Sequence, residues 1–592
     1  MCYYDLVTRS YGAMHVAEVV RKYETKAGPS ESRSYLLRRS FREDGKVRHE
    51  TLANLSALPP QAVAALREVL AGKTLVVADE GFELLRARPH GHVAAVAAQA
   101  KTLGFPELLG PPCKERYIAY ALVLSRVVRP KPKLATISWW KDTTLYEDLG
   151  LEEVSTDEAY AAMDWLYERH DVIERALSRR HLSASNNPSG RAYFDLSSSW
   201  MEGRTCPLAS FGYSRDAKRG KPQIEYGLLT DPEGCPVAIR VFPGSTADPV
   251  AFSEIVDVVR ENFGLTHLVM VGDRGMITSA RIEALRDLGG LGWLTALRSP
   301  QIKALAEDQG PLQLSLFDEV NFLELTHPDY PNERLVACRN PLLAIERARK
   351  REALLSSSEA AVAPIIARVR SGRLKGKDEI AFRLAKVLNR FKMEKHFVTE
   401  IEDDRLVVVR DEDSIKAEAA LDGIYVLRTT IGRDELDAAG VISAYKDLAG
   451  VERDFRSMKV IDVELRPVHH RLEDRVRSHA FICMLSTYLT FHLRRSLAAL
   501  TFTDTEPPAR RDPVAPASVS NAARKKASRK KNAEGQEVRG FRELLEHLGT
   551  LTRNRMRVAS SPEIEFDLVA TPTPTQRRVF ELLGVPVPKH LV

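Results

Sequence analysis

Three acids stand apart from the other charged residues by position. Asp195 lies inside RAYFDLSSS, a segment that reads as a strand. Burying a carboxylate unpaired is costly, so an acid inside such a strand is kept for a reason. Asp273 ends THLVMVGDRG (266–275), an apolar run expected of a strand covered on both faces. Two carboxylates held side by side raise each other's pKa unless a divalent cation neutralises them. Hard oxygen donors suit Mg2+ or Mn2+. The third acid, Glu452, shares helical spacing with Tyr445, Leu448 and Lys459, which places all four on one face. A face offering a carboxylate, a phenol and a lysine suits a metal and a phosphodiester backbone. Each feature also has a plain reading. Asp273 can cap the helix that follows it, and Val441–Lys459 can be an amphipathic surface helix with incidental charges.

These residues need a scaffold. RAYFDLSSS, QIEYGLLTD and CPVAIRVFP read as three strands, the last two joined by the turn Asp231-Pro-Glu-Gly234. Asp248-Pro249 has the chemistry of a helix start, with Asp as N-cap, for a helix running to about Phe263. The strand ending at Asp273 follows, then a helix from Ile277 to about Leu288 and a strand, GWLTALRS. The order β-β-β-α-β-α-β is the layout of the ribonuclease-H-like fold, in which the first and fourth strands lie side by side. Residues 300–440 interrupt the unit; HFVTEIEDDRLVVVRDED and DGIYVLRT there look like β hairpins. Helical periodicity returns at Val441 and runs to about Leu497, with a break at Arg466-Pro467. Upstream, residues 14–57 read as strands with Asp44-Gly45 as a hairpin turn and outward Lys, Arg and His. Residues 59–177 read as helices, one opened by Ser155-Thr156-Asp157-Glu158.

The composition is that of a globular chain. Its 592 residues are 44% apolar and 28% charged, which excludes a disordered, collagen-like or disulfide-stapled miniprotein class. The six cysteines are scattered, without metal-ligand spacing, so reduced thiols are expected and neither a disulfide framework nor a zinc site. The longest apolar run, AFICMLSTYLTFHL (480–493), is too short to span a bilayer, and no secretory leader opens the chain, so a soluble protein is expected. Lys and Arg total 86 against 80 acids, a net charge of +6 whose meaning depends on where it concentrates. Arg129, Lys131 and Lys133 form a Pro-punctuated turn that reads as a DNA contact or as a solvated loop. Residues 506–539 have little to bury and carry Arg524, Lys525 and Lys526; they read as a flexible basic tract that favours phosphates, or as a solubilising linker.

The triad Asp195, Asp273 and Glu452, with Tyr445 and Lys459 beside the Glu, resembles the catalytic residues and Tyr-x2-Arg-x3-Glu-x6-Lys signature of DDE transposases from bacterial insertion sequences. This chain reads Tyr445-x2-Leu448-x3-Glu452-x6-Lys459, departing at Leu448, where the signature has a phosphate-binding Arg. Gly212-Tyr213-Ser214-Arg215-Asp216, Phe242–Asp248, Leu421-Asp422-Gly423 and Arg466-Pro467-Val468-His469 are further similar pieces, in order, and the resemblance covers about residues 14–495. The resemblance implies an α/β fold with a ribonuclease-H-like core, interrupted by a β-rich insertion. It implies two Mg2+ ions, replaceable by Mn2+, with Asp195 bridging them and Asp273 and Glu452 each completing one. Tyr445 and Lys459, with Arg456 as a lesser candidate, would hold phosphates. Trp200 or Trp293 would be placed to stack on an extruded base, unless both are simply core. The implied partners are double-stranded DNA, as element ends and target, and a second copy of the chain on that DNA. The implied setting is the bacterial cytoplasm at the nucleoid, with no membrane role. The expected parts are a β-rich region (1–58), a helical DNA-binding region (59–185), the first part of the core (186–300), the insertion (301–440), the second part of the core with the Glu helix (441–500), a basic linker (501–540) and a C-terminal segment (541–592). Two other readings remain open: a catalytically silent regulator that binds DNA, and a ribonuclease-H-like nuclease without strand transfer.

Overall fold

The computed structural model describes residues 10–25, 28–43, 46–73, 75, 81–203, 205–212, 214–215, 218, 220–265, 268–273, 277, 282, 291–307, 311–312, 317, 320–509, 512–559 and 561–591. The chain divides into two units, Met1–Ala87 with Arg553–Ala570, and Arg88–Thr552 with Thr571–Val592.

The first unit is built on antiparallel strands. β1 (Ser10–Thr25), β2 (Gly28–Glu43) and β3 (Lys46–Asn54) form a meander. Glu43 pairs with Lys46, and the Asp44-Gly45 turn between them lies outside the described residues. A second sheet joins β4 (Phe82–Pro89) to Thr552–Val558 and Ser561–Val569. The region expected to be purely helical therefore contributes a strand, whose partner lies more than 460 residues away, beyond the reach of local periodicity.

The second unit is centred on an eight-stranded mixed sheet. Its strands are β5 (Arg191–Trp200), β6 (Gln223–Thr230), β7 (Pro236–Pro243), β8 (Leu268–Val271), β9 (Leu291–Ala296), β10 (Phe322–Leu325) and β11 (Arg334–Arg339). After the separate hairpin of β12 (Phe397–Ile401) and β13 (Leu406–Arg410), β14 (Ile424–Thr429) is the eighth. The order across the sheet is β10-β11-β14-β9-β8-β5-β6-β7. β5, β6 and β7 are an antiparallel meander, and β5, β8 and β9 run parallel. β6 is buried along its whole length. The helix Glu473–Ser496 holds the long apolar run, buried from Ser478 to Thr490, as the spine of the unit. Among the described residues, no helix is long and apolar enough to cross a membrane.

Several elements differ from the sequence reading. DGIYVLRT does not form a hairpin with its upstream neighbour: as β14 it sits between β11 and β9, because its mostly buried residues need cover on both faces. The remainder of the insertion builds its own core from helices Pro341–Arg370 and Lys377–Phe391 with the β12–β13 hairpin. Asp248 is not an N-cap; it is the first helical residue of Asp248–Asp257, and its carboxylate takes Arg215 instead. Ser155 and Glu158 form the capping box expected of them. The helix read at Ile277–Leu288 lies largely outside the described residues.

The basic linker also differs. Ser520 caps a helix, Asn521–Arg529, and itself bonds Asp504 through both its N–H and its hydroxyl. Val514, Ala523 and Val538 are buried. A few small apolar side chains and satisfied caps are enough to seat a segment that composition reads as unable to bury anything.

Candidate active site

The sheet register sets two of the acids side by side. Tyr193 on β5 pairs with Val271 on the parallel strand β8. Asp195 and Asp273 each lie two residues further on, so they sit at one level with the same side-chain parity. Neighbouring strands are about 4.8 Å apart, which puts both carboxylates on one edge. Asp195 is half-buried within a strand whose neighbouring residues are buried, and Asp273 is exposed just past the end of β8.

The third acid arrives on a helix. Ala438–Asp447 and Ala449–Arg456 run on through Leu448, which keeps α-helical backbone angles. Val451 and Phe455, four apart, are buried, and the Phe455 ring meets Tyr226 of β6 edge-on at 5.7 Å. Glu452 and Arg456, also four apart, are left exposed. The apolar pair thus fixes which way the charged pair points. Lys459 follows in a wider turn, Ser457–Ile461, largely buried with its ammonium 6.0 Å from the Tyr226 ring centre.

All of these residues line one cleft of about 850 Å³: Asp195, Asp273, Glu452, Tyr445, Arg456 and Lys459, with Leu448 among them. Burial pushes the Asp195 carboxyl up to about 6. Asp273 and Glu452 push it the same way, while the Leu196 N–H, 2.8 Å from Asp195 Oδ1, and Arg215 pull it down. Asp195 therefore senses both other acids, and Arg215, Lys446, Arg456, Lys459 and Arg466 line the same cleft. The cleft also holds residues that local spacing does not single out: Ser197, Arg215, Asn340, Tyr425, Lys446 and Arg466. Arg215 Nη2 is 2.7 Å from Asp248 Oδ1 and its Nη1 is 3.8 Å from Glu225 Oε1. The similar fragment around Gly212 contained Arg215 without giving it a role. Arg466 lies 5.0 Å from the Trp200 ring centre and reaches the cleft from the break at Arg466-Pro467, a family-like fragment to which the sequence reading gave no role.

Comparison with known proteins places the chain. The profile of the IS1634 family transposase N-terminal domain matches residues 20–80. That of the transposase DDE domain matches residues 200–489. The chain belongs to the DDE transposases of insertion sequences. A solved structure of piggyBac transposase in a synaptic complex with hairpin DNA is similar to the transposase at 9% identity and a TM-score of 0.34, covering 65% of this chain and 66% of that one. No curated protein matches.

Beyond Arg456 and Lys459, the transposase's other basic candidates do not line the cleft. Arg129 and Lys131 are exposed on their turn. Lys133 is a correction: it is buried, with Nζ 3.3 Å from His479 Nδ1. Burial, with Arg126 adding to it, brings its ammonium down to about 7. Arg524 and Lys525 are exposed on their helix, but Lys526 is turned inward and donates to the carbonyls of Ala498 at 3.1 Å and Thr503 at 2.9 Å. A helix places every third or fourth side chain inward, so a run of lysines is never wholly available to solvent. Trp293 is fully buried and cannot stack on a base, whereas Trp200 is half-buried between Arg466 and Lys218.

Proposed function

We propose that this transposase binds the terminal inverted repeats of its element and performs metal-dependent DNA cleavage and strand transfer through Asp195, Asp273 and Glu452. The observation that supports the reading is the convergence of three carboxylates, from two adjacent parallel strands and a separate helix, on one open cleft with Arg215, Arg456 and Lys459. The sheet order β7-β6-β5-β8-β9 around them fits a ribonuclease-H-like core. The donor set is all hard oxygen, which fits Mg2+ and accepts Mn2+. Asp195, central in the sheet, would hold two ions, with Asp273 and Glu452 holding one each. Bound there, the ions would supply charge neutralisation at the scissile phosphate and an activated attacking oxygen.

The chain's own residues do the rest. Lys459 and Arg456 set positive charge along the Glu helix for phosphates flanking the scissile bond, and Tyr445 offers a hydroxyl donor. Leu448 supplies no guanidinium, and Arg215 and Arg466 bring one to the same cleft from other elements. The exposed Arg129, Lys131, Arg524 and Lys525 add contacts to phosphates that carry no sequence information. Two element ends and a target require more surface than one cleft offers, which fits a homodimer assembled on DNA in the bacterial cytoplasm.

The test uses a labelled duplex carrying an element end. With Mg2+ the wild-type chain is expected to cut at the end, and Glu452→Gln to bind with wild-type gel shift but not cut. Undiminished cutting by Glu452→Gln would remove Glu452 from the site.

A further inference from the structure

A second group of donors lies outside the carboxylate cleft. His181 ends the helix His170–His181, Cys235 follows the β6–β7 turn, and His492 lies near the end of the helix Glu473–Ser496. One donor atom from each lies within 4.8 Å of the others. Cys235 Sγ and His492 Nε2 are 3.5 Å apart. Nitrogen and sulfur donors about 2.0 and 2.3 Å from a tetrahedral zinc ion would be about 3.5 Å apart. Cys235 is buried and both histidines are half-buried, so the group is closed behind and reachable in front.

Its surroundings are arranged as a metal ligand's would be. Asp231 Oδ2 is 3.1 Å from His181 Nδ1. A carboxylate there favours the tautomer protonated at Nδ1; the Nε2 lone pair now accepts from the Tyr488 hydroxyl at 3.2 Å and would exchange that bond for the metal. The same Asp231 accepts the N–H groups of Glu233 at 2.9 Å and Cys235 at 2.8 Å through Oδ1, so it also shapes the turn that presents the thiol. Asp231, Asp454 and Glu233 add negative charge around Cys235, and Arg495, paired with Glu233, opposes it. Asp454 Oδ2 is buried without a hydrogen-bond partner. A cation at this place would answer that charge.

We propose that His181, Cys235 and His492 bind one Zn2+ ion, separate from the catalytic ions. Binding forms one Zn–S and two Zn–N bonds, releases the Cys235 thiol proton to solvent, and leaves a fourth position for water. The ion ties the β6–β7 turn to the helix Glu473–Ser496. That turn also lies on the Glu helix: a Cβ on Gly234 would meet Gly450 Cα at 3.8 Å and Asp454 Oδ2 at 3.4 Å. The site thus steadies the seat of Glu452. The scattered positions 181, 235 and 492 explain why spacing along the chain shows no zinc motif.

The test uses the full chain, stripped with a chelator and reloaded with Zn2+ or Co2+ in excess Mg2+ to fill the carboxylate cleft. Wild type is expected to keep about one zinc per chain through gel filtration, and its cobalt form to show a thiolate-to-metal charge-transfer band. Cys235→Ser and His492→Gln should abolish the band and weaken zinc binding at least about 100-fold. Asp231→Asn should weaken it about 10–100-fold. Cys206→Ser should change nothing. If Cys235→Ser fails to fold by circular dichroism, His492→Gln, at a half-exposed site, decides. No thiolate band in wild type, or wild-type zinc content in His492→Gln, would overturn the proposal.

Discussion

The carboxylate cleft and the two basic segments treat their charges in opposite ways. In the cleft, Asp273 and Glu452 stay exposed and Asp195 is half-buried, so three acids line one open space. In the basic turn and the helix Asn521–Arg529, Lys133 and Lys526 are drawn inside and given partners, while Arg129, Lys131, Arg524 and Lys525 remain outside. Acids gathered on one open cleft mark a place suited to a ligand; basic side chains turned inward have become part of the fold.

That contrast can be broken at its strong end first. Asp195→Asn keeps the shape of the cleft and removes its central charge. Cutting of an element end in Mg2+ should fall by about 10³-fold or more, with DNA affinity by gel shift within about twofold of wild type. A residual rate above a tenth of wild type would break the comparison. Arg215→Ala should come next, lowering cutting by about 10–100-fold, because a charge-assisted contact at the cleft is lost while the three acids remain. Purification in chelator tests the same cleft without mutation: cutting should vanish and return with Mg2+ or Mn2+.

The basic side of the comparison gives smaller effects. Lys131→Ala should reduce the slope of log affinity against log salt by about 1, as expected for one phosphate contact. Lys526→Ala should leave that slope alone and instead lower the melting temperature, because two backbone carbonyls lose their donor. Lys133 supplies a pH signature. Burial lowers its folded pKa from 10.5 to about 7, so between those values the unfolded chain binds more protons and stability rises with pH. The melting-temperature advantage of Lys133→Met over wild type should therefore be largest at pH 7 and shrink by pH 10. A constant difference would show that Lys133 does not titrate in that window.

The sequence makes some of this legible for a physical reason. Asp195 and Asp273 sit in strands whose period of two fixes side-chain direction, and the parallel register brings them level. Glu452 sits in a helix where Val451 and Phe455 fix the buried face. Periodic backbone is readable from spacing. Arg215 and Arg466 come from irregular segments, and nothing in their spacing says where they point. The seating of β14 between β11 and β9, the inward turn of Lys526 and the meeting of His181, Cys235 and His492 depend on contacts across tens to hundreds of residues. Composition read 506–539 as linker because it counts apolar residues without seeing that Val514 and Val538 are enough to anchor it.

The central claim is that the three-acid cleft joins DNA as well as cutting it. Strand transfer from a pre-cleaved element end into plasmid DNA with Mg2+ tests it most directly. The account predicts joined products with the wild-type chain and none with Asp273→Asn. Joining by Asp273→Asn at the wild-type rate, or a wild-type chain that only hydrolyses the DNA, would contradict it.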